Sequence, residues 1–101
     1  MKNAAASFYI YILECADGSF YTGWTTDPQR RERQHNAGHG ARYTRTRTPV
    51  RVVYIEEYTD RSSAMRREHR IKSMSRAEKE KLIKQAQERS NALLPAIEKS
   101  G

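Results

Sequence analysis

Two polar side chains, Arg31 and His35, have types and a spacing that suit chemistry on a phosphate. They are four residues apart, so on a helix they share one face. The planar fork of an arginine binds phosphate through two parallel hydrogen bonds, and histidine is the side chain that titrates near neutral pH. A phosphate site is one interpretation of this pair, and a solvated surface helix is the other.

Glu68 is a carboxylate on the apolar face of a predicted helix, where buried side chains are expected. On a helical projection it falls between Ala64 and Met65, on the face that also carries Ile71. Burying a carboxylate is costly unless it is ion-paired or bound to a metal. An ion pair with a nearby arginine or an edge position that reaches solvent would explain it. The functional interpretation is a ligand for magnesium, which keeps most of its waters and needs only one or two carboxylates.

Two tyrosines, Tyr11 and Tyr21, fall on adjacent strands of a predicted hairpin and lie close enough to share a face. They are either core aromatics or part of a site, and a buried phenol needs a partner for its hydroxyl in both cases. Gly23 interrupts the second strand, and a glycine in a strand often lets a backbone or a ligand approach closely.

Hydrophobic periodicity predicts the elements that position these residues. Strands are expected at Phe8–Glu14, Phe20–Thr25 and residues 50–58, and Asp17-Gly18 is typical of a hairpin turn. In the first strand Phe8, Ile10 and Ile12 face one side and Tyr9, Tyr11 and Leu13 the other, so both faces are expected to be covered. Helices are expected at residues 28–37, capped from Thr26, and at residues 62–73, capped by Asp60. Another is expected from residue 76 onward, opened by a capping box of Ser75 and Glu78. The predicted fold class is α+β, with a small three-stranded antiparallel sheet flanked by helices in the order β-β-α-β-α-α.

The domain boundary and the loops follow from the same pattern. The first helix has no large apolar side chain, so polar contacts or arginine stems must hold it in place, and Gly38 should end it. Residues 38–48 are expected to form a loop. The apolar signal fades after Gln87, so residues 1–87 are interpreted as one domain and residues 88–101 as a flexible C-terminal tail.

The net charge of +7 is concentrated in one part of the chain. Residues 28–51 hold seven arginines and one acid, Glu32, and such a patch attracts polyanions. The side chains expected to contact nucleic acid are Arg30, Arg33, Arg42, Tyr43, Arg45 and Arg47. Tyr43 is the candidate for stacking on an unpaired base. A single cysteine, Cys15, and the lack of a long apolar run predict a cytoplasmic protein without membrane association.

Several ordered motifs resemble the GIY-YIG nuclease superfamily, and most closely its small stand-alone bacterial (YhbQ-like) group. The two halves of the signature match Tyr9-Ile10-Tyr11 and Tyr21-Thr22-Gly23. The resemblance continues through residues 25–36, Gly40-Ala41-Arg42-Tyr43-Thr44-Arg45, Pro49-Val50-Arg51-Val52-Val53-Tyr54 and residues 64–72. It covers roughly residues 8–83 and implies the GIY-YIG fold.

The resemblance also implies site residues, which match this chain position by position. The family's tyrosines match Tyr11 and Tyr21, its glycine matches Gly23, and its metal-binding glutamate matches Glu68. The helix arginine and the residue four positions later match Arg31 and His35. Tyr9 and Thr22 depart from the signature, and residues 80–83 hold no asparagine where several relatives carry one.

The function implied is a metal-dependent endonuclease that hydrolyses phosphodiester bonds, in DNA rather than RNA, by structure rather than by sequence. Glu68 would hold one Mg²⁺ or Mn²⁺, and Arg31 would bind a non-bridging oxygen. Tyr21 is expected to orient or deprotonate the attacking water, helped by Tyr11 or His35. A free phenol has a pKa near 10, so either the cationic site lowers that pKa or His35 accepts the proton.

Two other functions stay open. One is a nucleic-acid-binding module that has lost turnover, which the missing asparagine favours. The other is an adaptor whose basic face meets an acidic protein partner.

Overall fold

The computed structural model describes residues 7–100, and their side chains as far as Ser90. A hairpin opens the fold: β1 (Phe8–Glu14) and β2 (Phe20–Thr25) are antiparallel, and Gly18 in the turn takes the left-handed conformation at φ 84°. β3 (Arg51–Tyr58) pairs with the other edge of β1, which gives the antiparallel order β2-β1-β3. The predicted three-stranded antiparallel sheet is confirmed.

The central strand β1 is buried on both faces, because its apolar side chains alternate. Ile10 and Ile12 pack in one core with residues of the third and fourth helices, among them Ala64 and Ile71. Tyr11 and Leu13 pack on the opposite face, in a second core with Cys15, Val50 and, partly buried, Tyr21. The predicted assignment of these side chains to two covered faces is therefore correct.

The first helix, α1 (Pro28–Asn36), lies on the Tyr11 side and is held by polar contacts. The Asn36 amide bonds both backbone groups of Val50, at 2.7 and 2.9 Å, and the Glu32 carboxylate accepts the Val52 N–H at 2.7 Å. These bonds replace the apolar face that the sequence lacks, as expected. The helix ends before Gly38, which has φ 84°.

Two local predictions around this helix are wrong. Asp27, and not Thr26, caps α1, since its carboxylate accepts the Arg30 N–H at 3.1 Å. The predicted loop at residues 38–48 contains a one-turn helix, α2 (Arg42–Arg45). The Thr44 N–H bonds the Ala41 carbonyl at 3.1 Å, and the Thr44 hydroxyl oxygen lies 2.8 Å from the same carbonyl oxygen.

The last two helices cover the Ile10 side of the sheet. α3 (Arg61–Lys72) is capped by Asp60, as predicted, and α4 (Arg76–Ser100) begins with the predicted reciprocal bonds between Ser75 and Glu78. Contrary to the fading signal after Gln87, α4 continues to Ser100. The flexibility of residues 88–101 stays a prediction, and Gly101 lies outside the described residues. No helix in the described part of the chain has the length and apolar character needed to span a bilayer.

Candidate active site

The structure brings Tyr11 and His35 into one buried pair. The Tyr11 hydroxyl lies 2.9 Å from His35 Nε2, and the two residues are 2% and 0% exposed. β1 supplies the tyrosine and α1 supplies the histidine. The half-buried Tyr21 ring from β2 lies beside both, with ring centroids 6.4 Å from Tyr11 and 5.4 Å from His35. The sequence prediction that these three residues share a site is consistent with this placement.

Two glycines make room for this pair. A Cβ atom on Gly23 would lie 2.6 Å from the Tyr11 hydroxyl oxygen, and one on Gly40 would lie 2.2 Å from His35 Nδ1. Such distances leave no space for a side chain, so the backbone itself packs against Tyr11 and His35. The close approach predicted at Gly23 is thus made by Tyr11. Gly40 was not singled out in the sequence, where it is one of several small residues in a polar segment.

Burial sets the protonation states of the pair. It raises the pKa of Tyr11 to about 12, with Arg31 opposing the rise and Glu68 adding to it. It also lowers the pKa of His35 to about 4, and the positive charge of Arg31 acts in the same direction. Near neutral pH the phenol therefore keeps its proton and the imidazole is neutral. Charged residues of two other elements, Arg31 on the first helix and Glu68 on the third, are thus near enough to act on the Tyr11 pKa.

Arg31 and Glu68 are both partly buried. The Arg31 guanidinium donates to the side-chain amide oxygen of Gln34, Oε1, at 3.0 Å. The Glu68 side chain is 16% exposed and pairs with Lys72, one turn further along α3, at 3.4 Å. An ion pair was one of the two interpretations of Glu68 from the sequence, and the partner is a lysine rather than an arginine. Because the Lys72 side chain is 52% exposed, it can move into solvent and leave the carboxylate free.

The donors around Glu68 fit a magnesium-like ion better than zinc. The side chains described hold no group of three or more His, Cys, Asp or Glu residues suited to a metal. Zinc takes three or four such protein ligands, whereas Mg²⁺ binds through one or two carboxylates and retains its waters. Glu68 is a single, partly buried carboxylate, and Lys72 can move away from it, so the site meets the requirement of Mg²⁺.

The candidate nucleic-acid contacts fall into two groups. The first is exposed and consists of Arg30 and Arg33 on α1 and Arg42 and Arg45 on α2. The second is tied into the structure: the Tyr43 ring stacks on Tyr21 with centroids 6.2 Å apart, and the Arg47 guanidinium carbon lies 3.9 Å from the centre of the Tyr43 ring.

Arg47 has further partners within the chain. Its guanidinium pairs with Asp17 at 3.1 Å and donates to the Tyr43 carbonyl oxygen at 2.7 Å. The structure therefore links Tyr43 to the candidate site through Tyr21 and uses Arg47 to hold the segment. Arg47 is less available to a ligand than Arg42 and Arg45, whereas Tyr43 is 39% exposed.

Thr44 is a site residue that sequence reasoning missed. It is completely buried, and its hydroxyl lies 2.8 Å from His35 Nδ1. No local signal separates Thr44 from the exposed Thr46 nearby. Only its contact with a residue on another helix distinguishes it.

Two cavities lie beside α4: one of about 610 Å³ between β3 and α4, and one of about 210 Å³ that extends to Glu14 and Phe20. None of the predicted site residues lines them. The candidate site is thus separate from both.

Comparison with known proteins identifies relatives along most of the chain. The family model described as the GIY-YIG catalytic domain matches residues 7–88. A UPF0213 protein of Natronomonas pharaonis is 56% identical over 79 residues, which span 78% of this chain and 93% of that protein. A UPF0213 protein of Staphylococcus haemolyticus is 51% identical over 80 residues, 79% of this chain and 98% of that protein.

Solved structures of relatives share the fold. The solution NMR structure of a UPF0213 protein from Bacillus halodurans is 49% identical, has a TM-score of 0.52, and matches 77% of this chain and 83% of its own. A solution NMR structure of a protein from E. faecalis is 43% identical, with a TM-score of 0.57, over 86% of this chain and 92% of its own. The family match and these identities show that the chain belongs to the GIY-YIG family, in its small stand-alone UPF0213 (YhbQ-like) group.

Proposed function

We propose that this protein is a metal-dependent endonuclease that hydrolyses phosphodiester bonds in DNA, recognising structure rather than sequence. The observation that carries the proposal is the buried Tyr11–His35 pair, which has Arg31 and Glu68 near enough for their charges to act on the Tyr11 pKa. Membership of a nuclease superfamily supports it. The expected cytoplasmic location belongs to the same proposal.

The residues of the site divide the reaction between them. Glu68 would hold one Mg²⁺ or Mn²⁺, which when bound supplies charge stabilisation at the scissile phosphate and the leaving oxygen. Arg31 binds a non-bridging phosphate oxygen. Tyr11 keeps its proton near neutral pH because its pKa is about 12, so it acts as a hydrogen-bond donor. Tyr21, which is more accessible than Tyr11, orients the attacking water or, as the phenolate, takes its proton.

The substrate surface follows from the placement of the arginines. Arg30, Arg33, Arg42 and Arg45 are exposed on the two helices that carry or contact His35. Contacts from such side chains to phosphates fix the position of a nucleic acid without reading its bases. Recognition of backbone shape is the specificity that this surface supports, and it applies to DNA or RNA.

The alternative is a nucleic-acid-binding module without turnover. The lack of an asparagine at residues 80–83 favours it, and in the structure Ile83 of this stretch is committed to the core. The presence of Tyr11, Tyr21, Arg31 and Glu68 in one site favours the enzyme.

An assay with labelled nucleic acids separates the two functions. Flapped, nicked, branched and single-stranded forms of DNA and RNA would be incubated with the full chain in Mg²⁺, in Mn²⁺ or in a chelator. The enzyme predicts metal-dependent cleavage of a subset of the DNA structures. Binding across the panel without cleavage in any metal would favour the module.

The Glu68→Gln variant tests the metal ligand in the same assay. It is expected to abolish cleavage and leave binding largely intact, because the substitution removes a charge but little shape. Glu80→Gln is the matched control, since Glu80 pairs with Arg76 on an exposed part of α4. Normal turnover by the Glu68 variant would remove this residue from the mechanism.

A further inference from the structure

The surroundings of the His35 ring decide which nitrogen carries its proton. Nδ1 faces two groups from the segment that contains α2: the Thr44 hydroxyl oxygen at 2.8 Å and the Ala41 backbone nitrogen at 3.3 Å. A backbone N–H is always a donor, so Nδ1 must offer it a lone pair. The other nitrogen, Nε2, then carries the proton of the neutral ring.

The hydrogen bonds of Thr44 agree with this choice. Its hydroxyl lies 2.8 Å from both the Ala41 carbonyl oxygen and His35 Nδ1. The Ala41 carbonyl already accepts the Thr44 N–H at 3.1 Å. If the hydroxyl donates to Nδ1, it shares the single Nδ1 lone pair with the Ala41 N–H, and the Ala41 carbonyl keeps the Thr44 N–H as its donor. If Nδ1 were protonated instead, the Ala41 N–H would face another N–H, and a partly buried donor would lose its acceptor.

The opposite edge of the ring faces Tyr11. With its proton on Nε2, His35 donates to the Tyr11 hydroxyl oxygen across the 2.9 Å contact. The hydrogen of the Tyr11 hydroxyl is then not used in this bond and is free for another acceptor. Because burial lowers the pKa of His35 to about 4, the ring has a single proton near neutral pH and this choice applies.

We infer that Ala41 and Thr44 fix His35 in the Nε2–H tautomer, so that His35 donates to Tyr11 and the Tyr11 hydroxyl donates to the substrate. The donation from Tyr11 to a substrate rests on the proposed function, whereas the tautomer of His35 does not. Nε2 has no lone pair in this form, so His35 does not accept a proton from the water or from Tyr21. Thr44 is a positioning residue, because it acts through His35.

The tautomer can be measured directly in the full-length protein. Long-range proton–nitrogen NMR correlations on ¹⁵N-histidine-labelled protein near neutral pH report which ring nitrogen is protonated. Among the three histidines, His39 and His69 are exposed, and their variants His39→Gln and His69→Gln assign the signals. We expect a protonated Nε2 and an unprotonated Nδ1 for His35. A proton on Nδ1, or equal populations of the two forms, would overturn the inference.

A matched pair of variants tests the role of Thr44. In Thr44→Val the Nε2–H tautomer should persist, because the Ala41 N–H still faces Nδ1. Loss of the hydrogen bond between the Thr44 hydroxyl and the His35 ring should lower kcat about fivefold with little change in KM. Thr44→Ser keeps the hydroxyl and should retain normal kcat. A switch of the Val variant to the Nδ1–H form would show that the Ala41 N–H does not hold the tautomer, contrary to the inference.

The two levels of the proposal fail separately. If the wild-type protein cleaves no nucleic acid, the proposed nuclease function is wrong, while the NMR result still decides the tautomer. If cleavage occurs and Nδ1 is protonated, the nuclease stands and the assignment of His35 as a donor is wrong.

Discussion

Arg31 acts on the Tyr11–His35 pair twice, since it opposes the rise of the Tyr11 pKa and contributes to the fall of the His35 pKa. Its guanidinium is also the group best suited to hold a phosphate oxygen in the site. Arg31→Ala is expected to lower kcat/KM by about a hundredfold or more, the effect of losing one transition-state donor. Arg31→Lys should not restore full activity, because lysine lacks the planar fork.

Arg33→Ala is the matched control for this prediction, because Arg33 is an exposed arginine on the same helix. It should affect substrate binding more than turnover. Wild-type cleavage by both Arg31 variants would show that the phosphate is held elsewhere.

The burial of His35 makes stability depend on pH. Its pKa in the folded protein, about 4, lies below the ordinary value of 6.5, so folding favours the neutral ring. The stabilisation is complete above about pH 6.5 and is lost as the pH falls toward about 4. The shift corresponds to about 3 kcal/mol. Urea unfolding across this range should show a loss of stability in the wild type that His35→Gln does not share.

The comparison of variants isolates the histidine, because the carboxylates titrate in the same way in both proteins. His39→Gln, at an exposed position, should follow the wild-type curve. If the stability difference between the wild type and His35→Gln were constant with pH, the ring would not be buried in its neutral form.

At the scale of elements, the site depends on how α1 and α2 are attached to the sheet. α1 has no apolar face and is tied to β3 by Glu32 and Asn36, so polar bonds orient the helix that carries Arg31 and His35. α2 is one turn long and contributes the buried Thr44. Both helices are therefore positioned by specific hydrogen bonds. Such bonds constrain the orientation of a helix relative to the sheet more than apolar packing does.

Two buried threonines provide a matched test at this scale. The Thr22 hydroxyl on β2 is buried and has no partner among the described side chains, whereas the Thr44 hydroxyl is hydrogen-bonded. Thr22→Val should stabilise the protein by about 1 kcal/mol, because an unsatisfied hydroxyl is removed. Thr44→Val should destabilise it by about 1 to 2 kcal/mol, because it leaves donors and acceptors unpaired. Urea unfolding measures both. Equal destabilisation by the two variants would mean that Thr22 has a partner.

Across the whole molecule, the sequence segment with most of the net charge forms α1 and α2, beside the candidate site. Of the three arginines in residues 42–47, Arg42 and Arg45 are exposed, and Arg47 contacts Asp17 and Tyr43. Each neutralised phosphate releases counterions, so affinity for a polyanion falls with salt. Replacing Arg42 and Arg45 with alanine should reduce the slope of log affinity against log salt by about 1.4 to 1.8.

The control for this prediction removes the same charge elsewhere. Lys81 and Lys84 are exposed on α4, and their replacement with alanine should leave the slope nearly unchanged. Binding titrations over a range of salt concentrations measure both slopes. Equal changes in the two double variants would mean that only net charge matters; no change in either would assign the contact to Arg30 and Arg33.

The strands, their covered faces and the starts of the helices could be predicted from the sequence, because each depends on a short pattern of neighbouring residues. Alternating apolar residues predicted the strands and their two covered faces, and Asp60 and the Ser75–Glu78 pair marked the starts of α3 and α4. The candidate residues Arg31, His35 and Glu68 were found because each is a polar or charged residue at a helical position that apolar packing would otherwise occupy. Such signals need only a few neighbouring residues.

The assembly of the candidate site could not be predicted from the sequence, because it depends on contacts between residues that are far apart in the chain. His35 bonds Tyr11 across 24 residues and Thr44 across nine, and the segment with α2 is ordered around the histidine ring, where a loop was predicted. Gly40 is required by a ring that reaches it from another element. The pKa values of Tyr11 and His35 follow from burial by the whole fold. Hydrogen bonds and desolvation depend on which distant groups meet in space, and no short stretch of sequence contains that information.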